Sequence, residues 1–211
     1  MVRLRKAART WRKPEAREAA HRAMVAHDRS LFAIDPERIF GRRAPLEVEL
    51  GAGKGEFLIE RAALNPGRDF LAVELSNPMA KMLAVRCGRA RLGNLRVVQM
   101  DARTLVNLML DAGSVRAYHI YFPDPWPKER HCKHRLFTPH LVASLRRTLE
   151  PGGRVFIASD VAEYAARIFE LLGAEGFREM TESAPGAEKT GFARKYAAAG
   201  KPLYAGVFER P

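Results

Sequence analysis

The chain has 211 residues, enough for one domain with an extension, and a chain of this size buries roughly 70% of its unfolded surface without help from disulfides or metal. Its 47% hydrophobic content and mean hydropathy of −0.25 exclude a wholly disordered or collagen-like chain, and nothing approaches the roughly 18 uncharged apolar residues of a membrane span. Lys+Arg 36 against Asp+Glu 24 give a net charge of +12 and a pI near 10.2, which point to a polyanionic partner such as nucleic acid.

The excess is uneven. Residues 1–43 hold 12 Lys/Arg and 5 Asp/Glu; the opening MVRLRKAARTWRK lacks the apolar centre of a secretory signal, and Glu15 and Glu18 arrive early for an Arg-rich organellar presequence. They read as a basic arm leading into a short helix from about Glu15 to His27, and residues 44–211 read as the folded domain. The arm is expected to meet phosphates, the alternative being a solvated tail that aids solubility. Only Cys87 and Cys132 are present, too few for a disulfide framework, so a reducing, cytoplasmic setting is expected.

Beyond Pro45, apolar runs alternate with helical patterns. Strands are predicted over Leu46–Leu50, Phe70–Leu75, Leu95–Met100, Val115–Phe122 and Arg154–Ser159. Helices are predicted over Lys54–Leu64, Asn77–Leu92, Arg103–Leu110, Thr138–Leu149 and Ala162–Leu172. This order predicts an α/β fold with a parallel sheet and helices on both faces. Two further strands, Phe177–Glu182 and Leu203–Glu209, close the chain.

The turn after the first strand reads Glu49-Leu50-Gly51-Ala52-Gly53-Lys54-Gly55-Glu56. A P-loop fails here, because Lys54 is followed by Gly55 rather than Ser or Thr. A dinucleotide fingerprint is weak, because Glu56 takes the place of its last glycine and would face a pyrophosphate. A loop for S-adenosylmethionine fits better, since that ligand carries a sulfonium and no phosphate. An ordinary glycine-rich turn is the bland alternative. Glu74 closes the second strand and Asp101 follows the third, where carboxylates suit ribose hydroxyls and an adenine amino group.

After the fourth strand comes Phe122-Pro123-Asp124-Pro125-Trp126-Pro127-Lys128, in which three prolines stiffen the chain around Asp124 and Trp126. An acid beside a rigid aromatic suits a nucleobase, the ring stacking and the carboxylate accepting hydrogens. Lys128, Arg130, Lys133 and Arg135, with His131 and His134, would supply phosphate contacts. A surface loop with Trp126 plugging the core is the bland alternative. The His131-Cys132-Lys133-His134 spacing is poor for zinc, so no metal is expected. His21, His27, His119 and His140 show no partners in sequence and read as surface or core histidines.

These motifs, together with Ser159-Asp160, resemble the bacterial tRNA (guanine-N7)-methyltransferase family over about Glu47 to Phe208. The resemblance implies a Rossmann-like class I methyltransferase fold, a seven-stranded, mostly parallel sheet with an antiparallel last strand. It implies S-adenosylmethionine as cofactor and a variable-loop guanosine of tRNA as target. On that likeness Glu49, Gly51, Gly53, Gly55, Glu74, Asp101 and Asp124 would hold the cofactor, with Asp124 also catalytic. Lys128, Asp160, Thr190, Gly191, Phe192 and Ala193 would meet substrate. The family's usual Thr-x-Phe-Glu-x-Arg here reads Thr190-Gly191-Phe192-Ala193-Arg194-Lys195, which lacks a carboxylate at Ala193 and puts Lys195 where a bidentate Arg stands. Other readings are a class I methyltransferase for another RNA or a small molecule, and a non-catalytic RNA-binding relative. No membrane association is expected, and monomer and homodimer both stay open.

Overall fold

Seven strands form a single sheet in the computed structural model, which describes residues 13–25, 33–181, 200 and 202–211. They are β1 (Leu46–Leu50), β2 (Asp69–Glu74), β3 (Leu95–Gln99), β4 (Val115–Tyr121), β5 (Leu149–Ser159), β6 (Arg178–Met180) and β7 (Tyr204–Glu209), in the order β3-β2-β1-β4-β5-β7-β6. The pairs from β3 to β5 are parallel, and β7 runs antiparallel to both β5 and β6. This is the expected mostly parallel sheet with one reversed strand. β5 begins at Leu149 rather than Arg154, because Leu149 pairs with Val115 before an irregularity across Pro151-Gly152-Gly153 restores register at Ala117 and Arg154.

The longer helices are α1 (Pro14–Ala23), α2 (Pro36–Phe40), α3 (Glu56–Leu64), α4 (Asn77–Ala90), α5 (Pro139–Thr148) and α6 (Ala162–Ala174). Proline in the first turn of α1, α2, α4 and α5 fits a position whose N–H has no helical partner. Thr138 caps α5 by accepting from the Leu141 N–H at 3.1 Å. The single helix expected over Arg103–Leu110 is instead a turn over Ala102–Thr104 that widens into a π-helical segment over Leu105–Met109.

Both sheet faces are covered, as a parallel sheet requires. Leu46, Val48 and Leu50 of β1 join Tyr118, Ile120, Val155 and Ile157 beneath α5 and α6. Phe70, Ala72, Ala117, Phe156 and Ala158 form the opposite face, under Phe57 and Leu58 of α3 and Leu83 and Ala84 of α4. Glu47 and Glu49 alternate onto this second face, so β1 is buried throughout.

The helix expected over Glu15–His27 is seen over Pro14–Ala23, and it shares this second core. A Cβ added to Gly88 of α4 would lie 1.6 Å from the Ala19 carbonyl oxygen, so the two helix backbones are in contact. Ala16, Ala19, Ala20 and Ala23 are buried at that seam. The chain then continues alongside β3, Met24 bridging Val97 and the Val25 N–H donating to the Val97 carbonyl at 2.8 Å. Among the described residues no helix is long and apolar enough to cross a membrane.

Candidate functional site

Strand order reverses between β1 and β4, and at such a switch point the loops leaving the strands part to open a crevice. The loop after β1 lines it. Gly51, Gly53 and Gly55 have φ of +80°, +53° and +67°, a region that favours glycine. Their roles differ. A Cβ on Gly51 would meet nothing within 4 Å, and one on Gly53 only the Gly51 oxygen at 3.9 Å, so bare backbone faces open space there. A Cβ on Gly55 would fall 2.2 Å from Leu83 Cδ1, so that glycine lets α3 and α4 pack together.

Glu74, at the end of β2, fixes the loop. Its Oε2 accepts from the Gly53 N–H at 3.0 Å and its Oε1 from the Ser76 N–H at 2.9 Å. Each oxygen retains a second acceptor position for a ligand hydroxyl. Asp101 uses Oδ1 to cap the turn after β3, accepting from the Thr104 N–H at 3.0 Å. Glu49 differs from both. It is 4% exposed, and among the described residues its Oε2 has no hydrogen-bond partner. Burial, reinforced by the negative charge of Glu74, pushes its carboxyl up to about 8. A buried acid left this way suits a cationic ligand whose charge would make ionisation favourable.

Across the crevice, β4 runs into the Phe122–Lys128 lip. The Phe122 N–H donates to the Ala158 carbonyl at 2.7 Å, and Phe122 and Trp126 hold φ of +53° and +41°. For non-glycine residues each such conformation costs roughly 1–3 kcal/mol and persists only where its surroundings enforce it. Arg135 supplies part of that enforcement, donating from Nε to the Pro125 carbonyl at 2.8 Å and from Nη2 to the Trp126 carbonyl at 3.3 Å. Its guanidinium also sits 5.4 Å from the centre of the Tyr164 ring. The Trp126 ring is flanked by His131 and His134, with centroids 5.7 and 5.2 Å away, while Asp124 is exposed.

Residues 43–205 match the model of the family described as "Putative methyltransferase". The chain belongs to this family. Among curated relatives, it is 41% identical over 148 residues to a tRNA (guanine-N(7)-)-methyltransferase of Alkalilimnicola ehrlichii, covering 70% of this chain and 62% of that one. It is 44% identical over 142 residues to the protein of the same name from Paracidovorax citrulli, covering 67% and 57%. The match thus spans about three-fifths of those relatives' length. A solved structure, the 16S rRNA methyltransferase KamB, superposes with a TM-score of 0.62 at 13% identity over 89% of this chain and 96% of that one, a likeness of fold.

In this family member Glu49 is the last residue but one of β1, Glu74 ends β2 and Asp101 lies two residues beyond β3, with the glycines in the loop after β1 and Asp124 in the lip after β4. Asp160 is half-buried directly after β5, the neighbour of β4. Lys128, Arg130 and Lys133 are exposed beyond the lip, but Arg135 turns inward to grip it. Thr190, Gly191, Phe192, Ala193 and Lys195 lie outside the described residues. Among the described residues, no group of three His, Cys, Asp or Glu is placed to hold a metal ion.

One constellation went unseen in sequence. His119 is fully buried, yet it has partners: Nε2 lies 2.9 Å from Glu47 Oε2, and Nδ1 lies 3.0 Å from the Tyr121 hydroxyl. Glu47 also accepts from Arg61 at 2.5 and 3.1 Å and from Arg68 at 2.5 Å. Burial alone would raise the Glu47 carboxyl, but the hydrogen bonds and charges of His119 and Arg61 hold it well below the usual range. Burial keeps His119 below its ordinary value, against the pull of Glu47. The legible signal was a Glu and a His inside otherwise apolar central strands, since buried polar groups must find one another.

Proposed function

We propose that this chain transfers a methyl group from S-adenosylmethionine to N7 of a variable-loop guanosine in tRNA, in the cytoplasm. The observation that carries the reading is the buried Glu49 carboxyl, whose Oε2 has no hydrogen-bond partner among the described residues, two residues before an open glycine loop. A cation beside that carboxyl favours its ionised form, and S-adenosylmethionine supplies an electrophilic methyl on a positively charged sulfur. Glu74 would take the ribose hydroxyls, Asp101 the adenine amino group, and the bare backbone at Gly51 and Gly53 would let the ligand lie close. The names and 41–44% identity of the relatives support the same chemistry.

Guanine N7 carries a lone pair and no proton, so the protein needs no obligatory general base. Its work is orientation, which supplies roughly 7–11 kcal/mol in favourable cases. The stiff lip presents Trp126 for stacking. Asp124 accepts hydrogens from the base and stabilises positive charge as it develops on the purine. The net charge of +12, with Lys128, Arg130 and Lys133 beyond the lip, suits a polyanion, and a tertiary loop exposes N7 without unwinding a helix.

The test is incubation with labelled S-adenosylmethionine and total tRNA, followed by identification of the modified nucleoside. N7-methylguanosine in the variable loop is expected, and label in any other nucleoside would refute the assignment. Asp124→Ala should lower turnover by about 100-fold or more while cofactor affinity falls much less.

A further inference from the structure

Glu47, His119 and Tyr121 form a buried chain for which the proposed reaction has no direct use. Because Glu47 is ionised, His119 donates to it from Nε2, and because burial keeps the imidazole neutral, Nδ1 is left as an acceptor to which the Tyr121 hydroxyl donates. The imidazole has no freedom to turn. It is fully buried and stacked on Phe156, with centroids 4.9 Å apart and planes 6° from parallel. The Tyr121 ring is held edge-on against Phe57 of α3 at 5.1 Å. Glu47 already has two arginines, so the imidazole is not needed merely to neutralise it.

The location of the chain's two ends gives it a role. Glu47 stands two residues before Glu49 on the same face of β1. Tyr121 is the last residue of β4, immediately before Phe122, whose left-handed backbone starts the lip. That conformation requires anchorage on both sides. The Phe122 N–H is held by Ala158, and the preceding side chain by His119. We infer that His119 is a positioning residue: through the Tyr121 hydroxyl it sets where the Phe122–Trp126 lip leaves β4, and through Glu47 it ties that point to the strand bearing Glu49. The two walls of the crevice are thereby held in register, a consequence for turnover that rests on the methyl-transfer reading above.

The chain has two tryptophans, so in a Trp11→Phe background Trp126 alone emits and reports the posture of the lip without any substrate. Tyr121→Phe removes one hydroxyl and should raise acrylamide quenching of Trp126 by about twofold as the lip loosens. It should also cut turnover by about tenfold at saturating methyl donor and tRNA, because small misplacements of reacting groups are expensive. His119→Leu should do the same. His119→Gln retains an N–H for Glu47 and an oxygen for the Tyr121 hydroxyl, and should restore most of both signals. Unchanged quenching in Tyr121→Phe, or a Gln variant as impaired as the Leu one, would overturn the inference. Should His119→Leu fail to fold, Tyr121→Phe carries the test. If the unmodified protein transfers no methyl group to tRNA, the functional reading falls, while the quenching comparison still decides the role of His119.

Discussion

Binding of S-adenosylmethionine should expel a proton from Glu49. With its carboxyl pushed up to about 8 by burial, Glu49 is about 90% protonated at pH 7 in the free protein. A cation seated against Oε2 favours the ionised form, so close to one proton should leave per ligand at pH 7 and almost none at pH 9. Affinity should therefore strengthen by up to about tenfold per pH unit between 6 and 8, then level off. Titration calorimetry in two buffers of different ionisation enthalpy counts the protons directly. The Glu49→Gln variant, in which only the ligand's own amine titrates, supplies the baseline. Equal proton release by both proteins at pH 7 would refute the argument. The sign for folding is opposite. The folded chain binds this proton more tightly than the unfolded chain, so the group's contribution to stability declines as pH rises from the ordinary 4.5 to about 8. That interval, at about 1.36 kcal/mol per pH unit, sets a ceiling of roughly 5 kcal/mol. Free Glu49→Gln should accordingly melt higher than the unmodified protein at pH 9, with little difference at pH 5.

Arg135→Lys separates a grip on the lip from a contact with phosphate. Lysine keeps the charge but loses the paired bonds to Pro125 and Trp126, so turnover should fall about tenfold while tRNA affinity in filter binding stays within about twofold. A loss confined to tRNA affinity would mean that Arg135 serves the phosphates. Removing residues 1–12 takes away five Lys/Arg and no acid, so tRNA affinity should drop and its log–log salt dependence should flatten, with the melting temperature unchanged. An unaltered slope would leave those charges a role in solubility alone. Cutting further, through α1, should destabilise the domain, because the Ala16–Ala23 seam against α4 would be exposed.

The order of strands and helices was legible because nearly every core element announces itself locally. Leu46–Leu50 alternates, the glycines punctuate its end, and Thr138-Pro139 opens α5. The acids at strand ends were legible for the same reason, each sitting beside a break in the pattern. What could not be read was pairing over distance. Glu47 meets Arg61, Arg68 and His119 across 14, 21 and 72 residues, and only the sheet order brings them together. Alternation in β1 also suggests a wet face, yet α3 and α4 close over it, which converts two ordinary-looking glutamates into an ion cluster and a partnerless carboxyl. The grip of Arg135 was hidden in the same way: its sequence neighbours are basic, and nothing local announces that its guanidinium bonds the loop ten residues earlier.

The two borders of the sheet have a bearing on self-association. A bare outer strand is a template onto which another chain can hydrogen-bond, and long flat ones promote stacking. Here β6 is only three residues long and carries Arg178 and Glu179 outward, while Met24 and Val25 lie along β3 on the opposite border. The same short passage of chain that anchors the amino-terminal helix thus also shields β3 from unwanted neighbours, and its loss would show first as aggregation.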